Sequence, residues 1–163
     1  MKSNELSILN LSNVTPKSVE WLFEPIIPLG IITVICNDPR SGKTTFAIKL
    51  VSDVSKGINT LEYVKEECKP GTVIFQSSED SASDTLLARF SFNNANLNNI
   101  VFIDESASPL SLTDKRLEEA IKQRNAKIVV IEPWQNYFPK VDMHRANEVR
   151  PVFSHLAKLA EKI

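Results

Sequence analysis

The sequence predicts an α/β fold, a mainly parallel sheet flanked by helices. Three observations carry this prediction. Apolar runs of strand length, GIITVIC at 30–36, GTVIFQ at 71–76, NIVFI at 99–103 and AKIVVI at 126–131, recur along the chain. Segments of helical spacing separate them. A strand that is apolar on both faces is buried on both, and in parallel sheets helices provide the cover. Finally, NDPRSGKTT at 37–45 lies between the first strand and the first helix, where a phosphate-binding loop belongs.

Each element has its own warrant. Residues 30–36 are a β-branched apolar run leading straight into the loop. Phe46, Leu50 and Val54 then stand at helical spacing, and Gly57 is a natural stop. Pro70 and Gly71 open a second strand, which a polar cluster, SSED at 77–80, closes. Residues 80–92 read as a helix with Asp80 or Ser81 as N-cap. Residues 99–104 form a short third strand. Residues 113–125 are an amphipathic helix, capped by Thr113, that turns Leu117 and Ile121 inward. A fourth strand, 126–133, is an apolar run that ends at Glu132. The last helix begins near a cap at Asn147 and accommodates Pro151 close to its first turn. A βα alternation that stops on a helix calls for another strand, so the sheet is expected to be cut short at Ile163. Residues 1–20 form a lead-in and 21–163 one core.

Composition narrows the function. With 163 residues, 42% of them hydrophobic and 24% charged, the chain can bury one core but not two large ones. A net charge of −1 provides no global field toward nucleic acid or an anionic membrane. Cys36 and Cys68 form no C-x-x-C pair, which fits a reducing cytoplasm and no structural zinc. The polar start, MKSNELSILNLSN, has no signal-length apolar run, so the expected location is cytoplasmic with no membrane partner.

The loop departs from G-x-x-x-x-G-K-[ST] only at its first position, where Asn37 stands. Such loops work because backbone N–H groups and a helix N-terminus point at phosphates. Asn37, Asp38, Pro39, Arg40, Ser41, Gly42, Lys43, Thr44 and Thr45 are therefore the candidate nucleotide-binding residues. Lys43 would reach the β- and γ-phosphates, and the Thr44 hydroxyl would bind Mg²⁺. Asn37 is expected to adopt the left-handed conformation glycine would take, since asparagine tolerates it best. Arg40 occupies a variable position and brings a bulky cation.

Hydrolysis of a nucleotide also requires carboxylates, one for the metal and one for the attacking water. Glu132 and Glu79 each close a strand at its carboxyl end. If the strand of Glu132 lies between the loop and the strand of Glu79, all three meet at one crevice. Glu132 is then the metal ligand beside Thr44, and Glu79 joins Lys43 as catalytic. Asp80 is accounted for as a helix cap.

Together these stretches resemble a known family. WLFEPIIPLGIITVICNDPRSGKTTFA is similar to the opening of the RecA/DnaB-like P-loop ATPases of the RepA helicase type, an AAA-family group. VIFQSSED resembles their second strand, which ends in a catalytic glutamate, and IVVIEPWQNYF their metal-binding strand. The resemblance runs from about Trp21 onward. It implies a RecA-like core that binds ATP with Mg²⁺, hydrolyses it, and works on DNA as a homo-oligomer. Asn37 and Arg40 replace two glycines of the family loop, and Glu132 replaces an aspartate. Lys140, His144 and Arg145 follow the fourth strand, where such proteins place a loop facing single-stranded DNA. They are as readily solvated charges. Arg89 is open between a nucleotide contact and a surface role, while Trp21, Trp134 and His155 read as packing or surface residues. Two other functions stay open: a nucleotide-binding or structural module without turnover, and a small-molecule P-loop kinase.

Overall fold

A computed structural model of the chain describes residues 6, 8–16, 18–58 and 69–162; Cys68 and Ile163 lie outside these. A short antiparallel pair comes first, β1 (Trp21–Phe23) with β2 (Ile27–Pro28). Then follow α1 (Lys43–Lys56), β3 (Thr72–Ser77), α2 (Leu87–Phe92), β4 (Ile100–Val101), α3 (Lys115–Arg124), β5 (Ala126–Glu132) and α4 (Ala146–Ala160). Strands β4, β3 and β5 form a parallel sheet in that order. The fold is α/β with a parallel sheet flanked by helices.

Alternation along β3 explains the two layers. Val73 and Phe75 face a core with Ile48, Val51 and Val54 of α1 and Phe90 of α2. Ile74 faces the opposite side, with Leu117 and Ile121 of α3 and Leu159 of α4. Successive strand residues point to opposite faces, so one apolar run supplies both cores. A third cluster, Leu110, Leu112, Tyr137 and Val152, seals the carboxyl end of the sheet. Gln76 is buried at that end, and its amide group bonds the backbone of Ile103 in both directions, at 3.0 and 2.9 Å. Its Nε2 also donates to Glu105 at 2.6 Å, so this buried polar side chain is satisfied.

Several expectations are corrected. Residues 30–36 carry no strand: among the described residues no sheet ladder reaches them, and Ile31, Val34 and Ile35 are exposed. An apolar β-branched run is a strand only if a neighbour takes its backbone bonds. The third strand shrinks to two residues. The helix expected from residue 80 opens as a π-turn, Ala82–Leu86; Ser81 is at the cap position without a side-chain capping bond. Asp114, not Thr113, caps α3 through the N–H of Arg116. Arg145 precedes α4, which places Asn147 inside the helix. Gly57 ends α1 in a left-handed conformation (φ 75°), as its position predicts.

Pro151 is thus two residues deeper in α4 than the cap at Asn147 implied. It removes a backbone donor from the helix interior, which costs up to about 3 kcal/mol relative to alanine. Its side chain is exposed, so little packing compensates. Pro151→Ala should raise the unfolding free energy by about 1–3 kcal/mol in urea titration. A loss of stability would show that α4 requires the proline.

Candidate functional site

The loop is built around its own lysine. Gly42 precedes α1 at φ 89°, and an added Cβ would meet nothing within 4 Å. Glycine is required there for conformation, not for space. The N–H of Ser41 donates to Asp38 O at 3.3 Å, turning the chain through Pro39 and Arg40. Lys43 Nζ folds back and donates to the carbonyls of Asn37 (3.0 Å) and Asp38 (2.9 Å). The ammonium therefore lies inside the loop, next to the N-terminus of a helix of 14 residues. Free N–H groups and the dipole at such an end favour an anion.

Besides Gly42, the left-handed residue of the loop is Arg40 (φ 65°) and not Asn37, which corrects the expectation for Asn37. Asn37 instead uses its side-chain oxygen to accept the N–H of Asp38 at 2.9 Å. Arg40 is exposed and forms no hydrogen bond or ion pair among the described residues. It holds a backbone conformation suited to glycine, which costs a bulky residue roughly 1–2 kcal/mol. Pro39, Ser41 and Thr45 are exposed beside it.

The carboxylates converge because β3 and β5 are parallel. Their register pairs Ser77 with Glu132, so both strands end at the same edge. Ser77 Oγ accepts the N–H groups of Glu79 (3.4 Å) and Asp80 (3.1 Å), bending the chain as it leaves β3. Arg89 pairs with Asp80 at 2.9 Å. This gives Asp80 an ion-pair role and draws Arg89 into the site. Glu132 is half-buried and lies beside the Thr44 hydroxyl. Burial pushes the Glu132 carboxyl above its ordinary value; the nearby Thr44 hydroxyl opposes this, Asp80 and Glu79 add to it, and Arg89 also opposes. Three negative groups thus face the loop with one guanidinium among them.

That arrangement fits Mg²⁺. No group of three or more His, Cys, Asp or Glu side chains is arranged to hold a metal among the described residues. Mg²⁺ does not require one, since it keeps waters and uses one or two protein ligands with substrate phosphates. Thr44 and Glu132 supply two hard oxygens on the wall of one cavity. A cavity of about 440 Å³ opens at Asn37, Lys43, Thr44, Glu79 and Glu132 and runs down between residues 31–36 and β5. Its volume is in the range of small-molecule sites.

Other candidates lie elsewhere. In the loop after β5, Arg145 is held by Asp142 (3.2 Å) and Glu148 (3.5 Å), while Lys140 and His144 are exposed. Trp134 packs edge-on against Phe138 and Phe153, as a packing residue would. His155 is on the exposed face of α4. Sequence reasoning missed Ser78 and Asn136, whose side chains bond at 2.9 Å across the strand ends. The polar cluster SSED was the available signal for Ser78; nothing in the sequence marked Asn136. No helix among the described residues is long and apolar enough to cross a membrane.

Comparison with known proteins agrees with this geometry. The family model described as AAA domain matches residues 3–163. No curated protein matches the chain.

Two outcomes follow for the nucleotide-free protein. Arg40→Gly should stabilise it by about 1 kcal/mol, or about 2–4 °C in Tm, whereas Asn37→Gly should not. Equal effects would contradict the assignment of strain to Arg40. Glu132 has a raised pKa when folded, so the folded state holds its proton more tightly than the unfolded chain does. Its contribution is most favourable below the ordinary carboxylate value and is lost as pH rises through the raised one. Glu132→Gln should therefore raise Tm at neutral pH, with the gain shrinking toward pH 4. A drop at neutral pH would mean that the charge is compensated.

Proposed function

The chain belongs to the AAA domain family, and from that membership we propose that it binds ATP with Mg²⁺ and hydrolyses it. Membership of this family points to nucleotide-binding ATPase activity. The observation that carries this reading is the gathering of Lys43, Thr44, Glu79 and Glu132 around one cavity, which puts the loop and the strand-end carboxylates at one point. Residues 21–163 are proposed as the RecA-like core, with 1–20 as its lead-in. The RepA-type motifs support service in DNA replication, recombination or repair, as a helicase-like, cytoplasmic homo-oligomer. Single-stranded DNA would meet the loop after Glu132, through Lys140 and His144.

In the proposed mechanism the loop N–H groups from Asn37 to Thr45 and the Lys43 ammonium bind the β- and γ-phosphates. Thr44 and Glu132 would hold Mg²⁺, which supplies charge neutralisation at the phosphates. Glu79 orients a water and takes its proton as the oxygen attacks the γ-phosphorus. The bond to the bridging oxygen breaks, and ADP and phosphate leave. Arg40, directed outward, is proposed to meet a neighbouring subunit.

A nucleotide-binding module without turnover is the second reading. The strained backbone of Arg40 in the loop and the burial that disfavours charge on Glu132 support it, since both bear on groups that turnover would use.

Lys43→Ala should abolish ATP binding in calorimetric titration while leaving nucleotide-free Tm nearly unchanged. Glu79→Gln should keep binding and lower the rate of phosphate release about 10²-fold or more. Retained binding in Lys43→Ala would refute the loop assignment. A parent that binds ATP but releases no phosphate, with or without single-stranded DNA, would select the second reading.

A further inference from the structure

The turn that carries Glu79 is tied to the segment following β5 by one side-chain link. Asn136 lies in the short helical turn Trp134–Tyr137 and donates from Nδ2 to Ser78 Oγ at 2.9 Å, across 58 positions of sequence. Ser78 is the neighbour of Glu79, and its own N–H donates to the Glu132 carbonyl at 3.3 Å. The two strand ends are therefore stitched twice, once by backbone and once through Asn136. Neighbouring Ser77 Oγ already accepts the N–H groups of Glu79 and Asp80. The Asn136 link is exposed, so water competes for it and the core does not depend on it.

A second observation marks this seam as adjustable. The hydroxyl of Tyr137, the residue after Asn136, is buried without a hydrogen-bond partner among the described residues. It stands close to Ser78 and Glu105. A buried polar group left unsatisfied is costly, and natural structures keep few of them. Ser78 thus has one partner in Asn136 and a spare one in Tyr137. A small rotation of the 134–137 turn would exchange them and move the backbone beside Glu79.

Resting on the ATPase reading above, we infer that Asn136 is a positioning residue for Glu79, acting through Ser78 and making turnover responsive to the 134–137 turn. Asn136 does not reach the loop or the carboxylates itself. It sets the orientation of the turn that presents the base, where a displacement of about 1 Å can cost 10²-fold in rate.

The test is a double-mutant cycle in the full chain, with Asn136→Ala, Ser78→Ala and both together. Phosphate release should fall roughly tenfold or more in each single variant, with KM for ATP unchanged, and the double variant should be no slower than either single one. A separate readout uses Trp134 emission in a Trp21→Phe background. A nonhydrolysable ATP analogue with Mg²⁺ should change this emission in the parent and not in Asn136→Ala, while calorimetry shows the analogue still bound. Additive losses, a loss confined to KM, or an emission change that survives Asn136→Ala would overturn the inference. The controls separate it from the underlying reading: with Glu79→Gln inactive and the parent active, a normal Asn136→Ala refutes only this inference. An inactive parent, or an active Glu79→Gln, refutes the reading of Glu79 and this inference with it.

Discussion

Everything at the site depends on the parallel pairing of β3 with β5. Parallel strands end at the same edge of a sheet, and the register that sets Ser77 beside Glu132 fixes how far each carboxylate projects. A slip of one residue would send Glu132 to the opposite face, because side chains alternate along a strand. Register is in turn fixed by two cores. Val73 and Phe75 must face α1 and α2 while Ile74 faces α3 and α4. The same packing that sets the register holds α1 with its N-terminus beside those strand ends, so Thr44 and Glu132 line one cavity.

This arrangement places costs where a ligand would relieve them. Asp80 and Glu79 both act against the charge on half-buried Glu132, while Arg89, paired with Asp80, favours it. Lys43 spends its donors on loop carbonyls of Asn37 and Asp38. Arg40 holds a conformation made for glycine. Strain and like charge of this kind cluster at functional sites. An anion drawn to the loop and a dication drawn to the carboxylates would each answer one of these terms.

Legibility in the sequence followed the range of the interaction. The α/β class, the helix after the loop and the strands β3 and β5 were readable, because apolar periodicity and Gly57 act locally. Lys43, Thr44, Glu79 and Glu132 were readable because each sits at the end of a recognisable run. Residues 30–36 misled, since a strand is defined by a neighbour that local sequence does not contain. The positive φ was assigned to Asn37 because asparagine tolerates it best, but the turn from Asp38 to Ser41 puts it on Arg40. Asp80 was read as a cap, yet an arginine nine positions on claims it. The bond between Asn136 and Ser78 spans two strands and had no local signature.

The central claim is that the loop and the carboxylate cluster form one site for a nucleotide and its metal. Calorimetric titration of the parent chain with ATP, with and without Mg²⁺, tests it most directly. The account predicts that Mg²⁺ tightens ATP binding about tenfold or more, with Glu132→Gln abolishing the gain but not the Mg²⁺-free binding. Affinity that is indifferent to Mg²⁺, in the parent and in Glu132→Gln alike, would contradict it.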